Sequence, residues 1–192
     1  MKIPITPLHY PIAWGLSRLN KRFNLPGLIV GSFMPDIEVP ILMVFFHGVF
    51  PDHFILHSLI GAITIGTFIS TVVTVFLYPF LVSFFFRLEK EKVKQVCKLN
   101  PILVLSCMLG CIFHILLDVP MHPFNFVLWP FVDPYSIVGI FVLAFAGDGN
   151  ISMGFLKANL LTTAITGLFL LGIVIKSRKN LWEQILLGKI IS

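Results

Sequence analysis

The stretch from Ser58 to Phe86 contains no Asp, Glu, His, Lys or Arg in 29 residues. A helix of about 20 apolar residues is long enough to cross the hydrocarbon core of a bilayer. The composition of the whole chain agrees with this, since 57% of its 192 residues are hydrophobic and 12% are charged. We therefore expect an integral membrane protein, and a length of this size predicts a single domain over residues 1–192.

Other apolar segments add to this span. Residues 101–119 predict a second crossing and residues 158–175 a last one, whereas residues 135–146 are too short to cross and predict a re-entrant or interfacial helix. Residues 180–192 predict a short surface helix at the C-terminus. The expected fold class is all-α, a polytopic helical membrane bundle with about four full or partial spans plus short re-entrant or interfacial helices.

The N-terminal part predicts a helical hairpin. Residues 8–23 are amphipathic and end in basic residues suited to a membrane surface. Residues 24–27 have the composition of a turn. His9 and Asp36 lie 15 and 12 residues from this turn, so antiparallel arms of similar length place His9 beside Asp36.

The returning arm of the hairpin leads to a loop. Pro35-Asp36 is expected to stop the arm, and residues 39–46 form a separate apolar run. His47 is then expected on the surface of a loop. Asp52 is well placed to cap a helix that begins at His53. The sequence explains Asp52 equally well as a cap or as a functional acid.

The basic residues lie in clusters beside the apolar segments and do not form a nucleic-acid-binding face, although the net charge is +5. With residues 18–22, residues 87–98 and the C-terminus in the cytoplasm, 12 of the 14 Lys and Arg obey the positive-inside rule, and Lys2 and Lys157 do not. This predicts a multi-pass protein of the cell membrane with a cytoplasmic C-terminus and no nucleic-acid partner. The same topology places nearly all of the His and acidic candidates at the extracytoplasmic end.

Ionisable residues gather where the span 101–119 ends. Such groups are costly in a membrane and usually have a function. His114 and Asp118 are four residues apart and therefore share one face of a helix. Pro120 ends that helix, and its rigid turn is expected to direct His122 back toward the same place.

A second pair with the same spacing, His53 and His57, opens the long apolar segment. Two such pairs on facing helices offer four ligands with little backbone strain. Imidazole and carboxylate are the usual ligands of zinc and also suit iron and manganese. The pattern therefore predicts a site for a divalent metal, with zinc the expected ion, and the excess carboxylates are expected to orient the histidines or to bind a second metal.

Simpler interpretations exist for several of these residues. Glu38 and Asp133 are explained equally well as solvated loop acids. Cys107 and Cys111 continue the stripe of His114 and Asp118 at helical spacing, and we interpret them as small packing residues.

Four motifs occur in a fixed order along residues 4–131. They are Thr6-Pro-Leu-His9, Leu28-Ile-Val-Gly-Ser-Phe-Met-Pro-Asp36, His57-Ser-Leu-Ile-Gly61, and His114-Ile-Leu-Leu-Asp118 followed by His122. The series resembles the integral-membrane families described as metal-dependent hydrolases, namely the YdjM-like group and its domain-of-unknown-function relatives. Those families are thought to be distantly similar in fold to zinc-dependent phospholipase C.

The resemblance implies a metal site, and the positions that match the family's candidate ligands are His9, Asp36, His57, His114 and Asp118, with His122 as an additional candidate. One departure concerns the residues before His57. An Arg-Gly pair commonly precedes Thr-His-Ser in the YdjM-like pattern, whereas Phe-Ile-Leu precedes the His-Ser pair here. This difference bears on the contact with substrate and on the substrate class.

The residues and the resemblance together predict a membrane-embedded metal-dependent hydrolase. Its expected substrate is a phosphoester in a lipid or lipid-linked molecule, attacked by a metal-bound hydroxide. His57, His114 and Asp118 are the expected ligands. His9 and Asp36 are expected to be ligands or to orient them, and Asp36 is also a candidate base.

The remaining candidates, His122, His53 and Glu38, are expected to be additional ligands or to orient the others. Two alternatives stay open: a metal or proton transporter, and a non-catalytic membrane scaffold or stress-response protein with a structural His/Asp cluster. Membrane lipids are expected partners in every case, and the sequence leaves the oligomeric state open.

Overall fold

The computed structural model describes residues 6–46, 49–51, 53–177 and 180–188. Within these residues the chain forms helices and contains no β-strand, which confirms the all-α class. The eight helices are α1 (Tyr10–Leu19), α2 (Leu25–Phe45), α3 (Leu59–Phe86), α4 (Lys90–Val96), α5 (Pro101–Asp118), α6 (Ile140–Phe145), α7 (Ile151–Lys176) and α8 (Leu181–Leu187).

Four of these helices are long and apolar enough to cross a membrane. They are α2, α3, α7, and α5 together with the 3₁₀ turn Val119–Met121 that extends it. The chain is therefore a multi-pass membrane protein. The last span starts at Ile151, earlier than the predicted residue 158, and α6 has only six residues, in agreement with a segment too short to cross.

Helices α2 and α5 form the closest packed pair of the bundle because glycines line their contact. A Cβ atom on Gly31 would lie 2.2 Å from the carbonyl oxygen of Cys107, and one on Gly110 would lie 2.6 Å from the carbonyl oxygen of Leu28. Small residues at such contacts let two membrane helices approach until their backbones touch. This contact sets the register of α2 against α5.

Helix α2 runs through Pro35 without stopping, which corrects the expectation that Pro35-Asp36 ends the segment. Pro35 and Pro40 both lie inside α2. A proline removes one main-chain hydrogen bond, but ending the helix in apolar surroundings would leave several backbone groups without partners. Asp36 therefore lies in the middle of a 21-residue helix, and the predicted separate run 39–46 belongs to the second half of that helix and its C-cap.

Helix α3 begins at Leu59 and not at His53. Ser58 caps it, with its Oγ accepting a hydrogen bond from the backbone N–H of Gly61 at 3.0 Å. His57 lies in the preceding 3₁₀ turn and His53 lies before that turn. The prediction that His53 and His57 share one face of an α-helix is therefore wrong, because this part of the chain is not α-helical. His47 and Asp52 lie outside the described residues.

The basic turns of the chain meet at one end of the bundle. The side-chain amide of Asn24 donates to the carbonyl oxygen of Val96 at 2.7 Å, which joins the α1–α2 turn to helix α4. The predicted basic loop 87–98 thus contains a helix. The described residues of the α2–α3 connection (46, 49–51 and 53–58) and the segment 119–150, which includes α6, lie at the other end, and His53, His57 and His122 are among them.

The C-terminal helix α8 packs into the bundle and is more than the surface tail that the sequence predicts. The hydroxyl groups of Tyr10 and Tyr78 donate to the carbonyl oxygens of Ile185 and Leu186 at 2.9 and 2.7 Å. Leu187 is buried in the same core as both tyrosines. Helix α8 therefore ties α1 to α3 at the basic end.

The glycine contact between α2 and α5 can be tested by adding one methyl group. We expect Gly31→Ala to lower the free energy of unfolding by about 1–3 kcal/mol, because the new Cβ overlaps the backbone of α5. Thermal unfolding in detergent measures the change. Gly167→Ala is the matched control, since a Cβ there meets no atom within 4 Å; equal unfolding temperatures for the two variants would contradict the close contact.

Candidate metal centre

Four ionisable side chains from three parts of the chain meet inside the bundle. Asp36 comes from the middle of α2, His57 from the turn before α3, and His114 and Asp118 from the last turns of α5. Each offers one ligand atom, and these atoms all lie within 4.8 Å of one another. All four residues are buried, with His114 at 0% exposure. We call them the inner group.

The spacing of these atoms suits a small cation. His114 Nε2 lies 3.5 Å from Asp36 Oδ1 and 3.2 Å from Asp118 Oδ2. His57 Nε2 lies 3.9 Å from each of the same two oxygens. Ligands bound at 2.0–2.2 Å to a tetrahedral zinc are about 3.3–3.6 Å apart. The inner group therefore surrounds a space close to the size that one divalent metal needs.

Hydrogen bonds orient both inner histidines. His57 Nδ1 lies 2.7 Å from Glu38 Oε1, and His114 Nδ1 lies 2.7 Å from the carbonyl oxygen of Ser32. A carboxylate and a carbonyl only accept hydrogen bonds, so Nδ1 donates in both rings. When either ring is neutral, its Nε2 atom therefore turns its lone pair toward the two aspartates. Partners of this kind are typical behind metal-bound histidines.

This arrangement requires a cation. The Nε2 atoms of His57 and His114 are buried and form no hydrogen bond with the described residues. Two lone pairs facing two carboxylates repel one another unless a proton or a metal lies between them, and an uncompensated buried charge is costly. Two imidazole nitrogens and two carboxylate oxygens are a donor set that zinc, iron or manganese accepts. The buried cluster can hold a metal ion.

His9 supports the inner group from the side. Its Nε2 lies 3.0 Å from Asp118 Oδ1, and its ring stacks on that of His114 with 4.0 Å between centroids. Its Nδ1 lies 3.9 Å from Asp36 Oδ2, which confirms the proximity that the hairpin predicts. Because His9 binds the other oxygen of Asp118, it holds that carboxylate with Oδ2 toward His114.

A second set of candidate ligands lies next to the first and shares one residue with it. His53, Asp118 and His122 offer ligand atoms within 4.8 Å of one another, and both histidines are half-buried. We call this set the outer group. His122 Nδ1 lies 3.0 Å from the backbone oxygen of Asp118, so the turn at Pro120 does direct His122 back toward the site.

Glu38 organises the loop that carries His57. Its carboxylate accepts hydrogen bonds from the backbone N–H groups of Phe54 and Leu56 at 2.6 and 2.8 Å, besides its contact with the His57 ring. It is buried at 8% exposure, so it is not a solvated loop acid. Asp133, by contrast, only caps the 3₁₀ turn Pro134–Ser136.

The two loop histidines differ in charge because their neighbours differ. Burial by itself would lower the pKa of His57, but the carboxylates of Asp36, Glu38 and Asp118 raise it to about 9. Burial, helped by His57 and His122, lowers the pKa of His53 to about 2. The inner group therefore favours a positive charge, whereas His53 is a neutral imidazole.

Two contributors were not visible in the sequence. The backbone oxygen of Ser32 orients His114, and a backbone group leaves no mark in a sequence. Asn125 donates to the carbonyl oxygens of Ile137 and Val119 at 2.9 and 3.3 Å and so holds the loop of His122. A buried Asn among aromatic residues is the signal that could have found it. Cys107 and Cys111 are buried packing residues as predicted.

A comparison with known protein families identifies the family of this chain. Residues 3–133 match the family described as a domain of unknown function (DUF4184). The chain belongs to this family. The matched region contains every member of the inner and outer groups. No curated protein and no solved structure matches the chain.

The role of Glu38 behind His57 gives a prediction for metal affinity. We expect Glu38→Gln to weaken zinc binding about 10–100-fold, because the neutral amide no longer fixes the tautomer and charge of the imidazole. Competition with a zinc chelator of known affinity measures the change in detergent-solubilised protein. Asp133→Asn is the matched control, since Asp133 is exposed and outside both groups. Equal zinc affinities for the two variants would contradict this role.

Proposed function

We propose that this protein is a membrane-embedded metal-dependent hydrolase that cleaves a phosphoester in a lipid or lipid-linked substrate. The observation that carries the proposal is the pair of ligand groups sharing Asp118. The inner group offers four protein ligands, as closed structural zinc sites do, whereas the outer group offers three. A site with three protein ligands keeps a position for water, which hydrolysis needs.

The residues of the chain have separate tasks in this proposal. A divalent metal, with zinc the favoured ion, supplies an acidified water and a Lewis acid for the phosphoryl oxygen. His53 and His122 bind from the loops, where both are half-buried. His9 fixes Asp118 between the groups. Asp36 serves as a ligand of the inner group, where its Oδ1 lies 3.5 Å from His114 Nε2, and it stays the candidate base.

Aromatic side chains beside the outer group support a substrate with an apolar part. The ring of Phe124 lies 6.3 Å from that of His53, and the ring of Phe54 lies 5.1 Å from that of Trp129. Aromatic rings of this kind sit well at the level of lipid headgroups. The resemblance to the YdjM-like group, and through it to zinc-dependent phospholipase C, favours the same substrate class.

Transport is less well supported than hydrolysis. Between the inner group and the basic end, α3 and α5 meet through neutral side chains. Ser70 Oγ lies 3.5 Å from Cys111 Sγ, and Thr74 Oγ1 lies 3.6 Å from Cys107 Sγ. Thr74 also donates to the carbonyl oxygen of Ser70 in its own helix. A cation route needs ionisable or carbonyl ligands at this depth.

The proposed location is the cell membrane, with both ligand groups toward the extracytoplasmic face and the C-terminus in the cytoplasm. Support comes from the basic turns, α4 and the end of α7, which share the end of the bundle away from the loop histidines. Basic residues beside the spans favour the cytoplasmic side. Lys157 near the start of α7 is the exception among the described residues.

The two groups predict a stepwise loss of metal. We expect washed, full-length protein to hold about two zinc ions per chain and His122→Ala to hold about one. Asp118→Asn is expected to hold at most about one, because Asp118 belongs to both groups and its loss leaves three candidate ligands in the inner group and two in the outer group. Elemental analysis of the purified proteins measures this. Hydrolysis of bis(p-nitrophenyl) phosphate and of a fluorogenic phospholipid in mixed micelles is expected to disappear in both variants and after chelation.

The control for this series is Cys111→Ser, which alters a buried residue one turn below His114 without touching a candidate ligand. It is expected to keep both metal and activity. A washed protein without stoichiometric metal, whose His114→Ala variant unfolds at an unchanged temperature, would refute the metal site. Protein that binds metal but hydrolyses neither substrate would overturn the enzymatic proposal and favour the scaffold alternative.

A further inference from the structure

Two cations share one indole ring at the basic end of the bundle. The guanidinium carbon of Arg18 lies 5.0 Å from the centre of the Trp14 ring, and Lys176 Nζ lies 5.8 Å from it. Within the part of the chain that the structure describes, neither cation forms an ion pair with a carboxylate. Each cation is attracted by the electron-rich ring. Two positive charges beside one ring form a basic patch that suits an anion.

An apolar groove lined by Trp14 and Lys176 at the basic end runs along α7 and has a volume of about 380 Å³. Its walls on α7 follow the spacing of one helical face, and they are Ile165, Leu168, Phe169, Gly172, Ile173 and Lys176. Leu168 and Phe169 are 70% and 65% exposed. A Cβ on Gly172 would meet no atom within 4 Å, so the glycine keeps the groove open.

The length of the groove matches one leaflet of a bilayer. The 12 residues from Ile165 to Lys176 rise about 16 Å along the helix, which is about half of a 30 Å hydrocarbon core. Lys176 ends the spanning helix and therefore marks the boundary with water. The indole N–H of Trp14 is buried there and donates no hydrogen bond to the described residues.

We infer that the groove between α1 and α7 is a binding site for one anionic phospholipid. The headgroup phosphate lies beside Arg18 and Lys176 at the basic end of the groove, and one acyl chain lies along Ile165–Ile173. A lipid is favoured over a free phosphate because the charged end is continuous with an apolar groove. Its position at the basic end separates this site from the two metal-ligand groups, so the inference is independent of the proposed hydrolysis.

Trp14 itself can report the bound lipid. The chain contains three Trp, and Trp129→Phe together with Trp182→Phe leaves Trp14 alone. This full-length protein is reconstituted into vesicles in which either phosphatidylglycerol or phosphatidylcholine carries brominated chains. We expect Trp14 fluorescence to be quenched more strongly by brominated phosphatidylglycerol than by brominated phosphatidylcholine. The apparent affinity for phosphatidylglycerol is expected to be at least about fivefold higher, since each basic residue near anionic headgroups contributes about that factor.

Charge removal and a matched control complete the test. Arg18→Gln with Lys176→Gln is expected to abolish the preference, whereas Lys157→Gln, an exposed residue near the other end of α7, leaves it unchanged. Equal quenching by the two brominated lipids in the parent protein overturns the inference, whether or not the double variant folds. Excess glycerol 3-phosphate and unbrominated phosphatidylglycerol are then compared as competitors. If both relieve the quenching equally well, the site binds phosphate and not lipid, which would also overturn the inference.

Discussion

The carboxylates of Asp36 and Asp118 are buried between apolar helices. The centre of the bundle is stable only if positive charge compensates their negative charge. The glycine contact of Gly31 with α5 brings α2 and α5 together just below these residues. The same contact brings the carbonyl oxygen of Ser32 to His114, so backbone packing decides which ring nitrogen faces the acids. A cation in this space would relieve the repulsion between the two carboxylates.

The ligands differ in what holds them. His114 and Asp118 stand on one rigid helix, and Asp36 stands on its closest neighbour, so the inner group is built from packed elements. The outer group relies on loops that are shaped by local hydrogen bonds, with Glu38 behind one loop and Asn125 inside the other. The candidate ligands of the inner group are therefore held more rigidly than those of the outer group.

The opposite end of the molecule is organised by other forces. Two tyrosine hydroxyls bind the carbonyl oxygens of α8 and close the bundle. Basic side chains lie at this end, and Arg18 and Lys176 both lie close to the ring of Trp14 where α1 meets α7. Helix α7 exposes much of its surface, so it is expected to contact lipid along most of its length. The polar centre and the lipid-facing groove therefore lie in different parts of the bundle.

The sequence by itself determined the membrane class, the long spans, the His114–Asp118 face and the approach of His9 to Asp36, because charge-free length and helical spacing depend only on local order. It also predicted wrongly that Pro35 stops a helix and that His53 and His57 share a helical face. Those outcomes depended on whether the surroundings could satisfy the backbone, which a local pattern does not contain. Only the tertiary structure assigned Glu38, Ser32 and Asn125 their roles and divided the ligands into two groups around Asp118, since hydrogen bonds between distant segments exist only after the helices have packed.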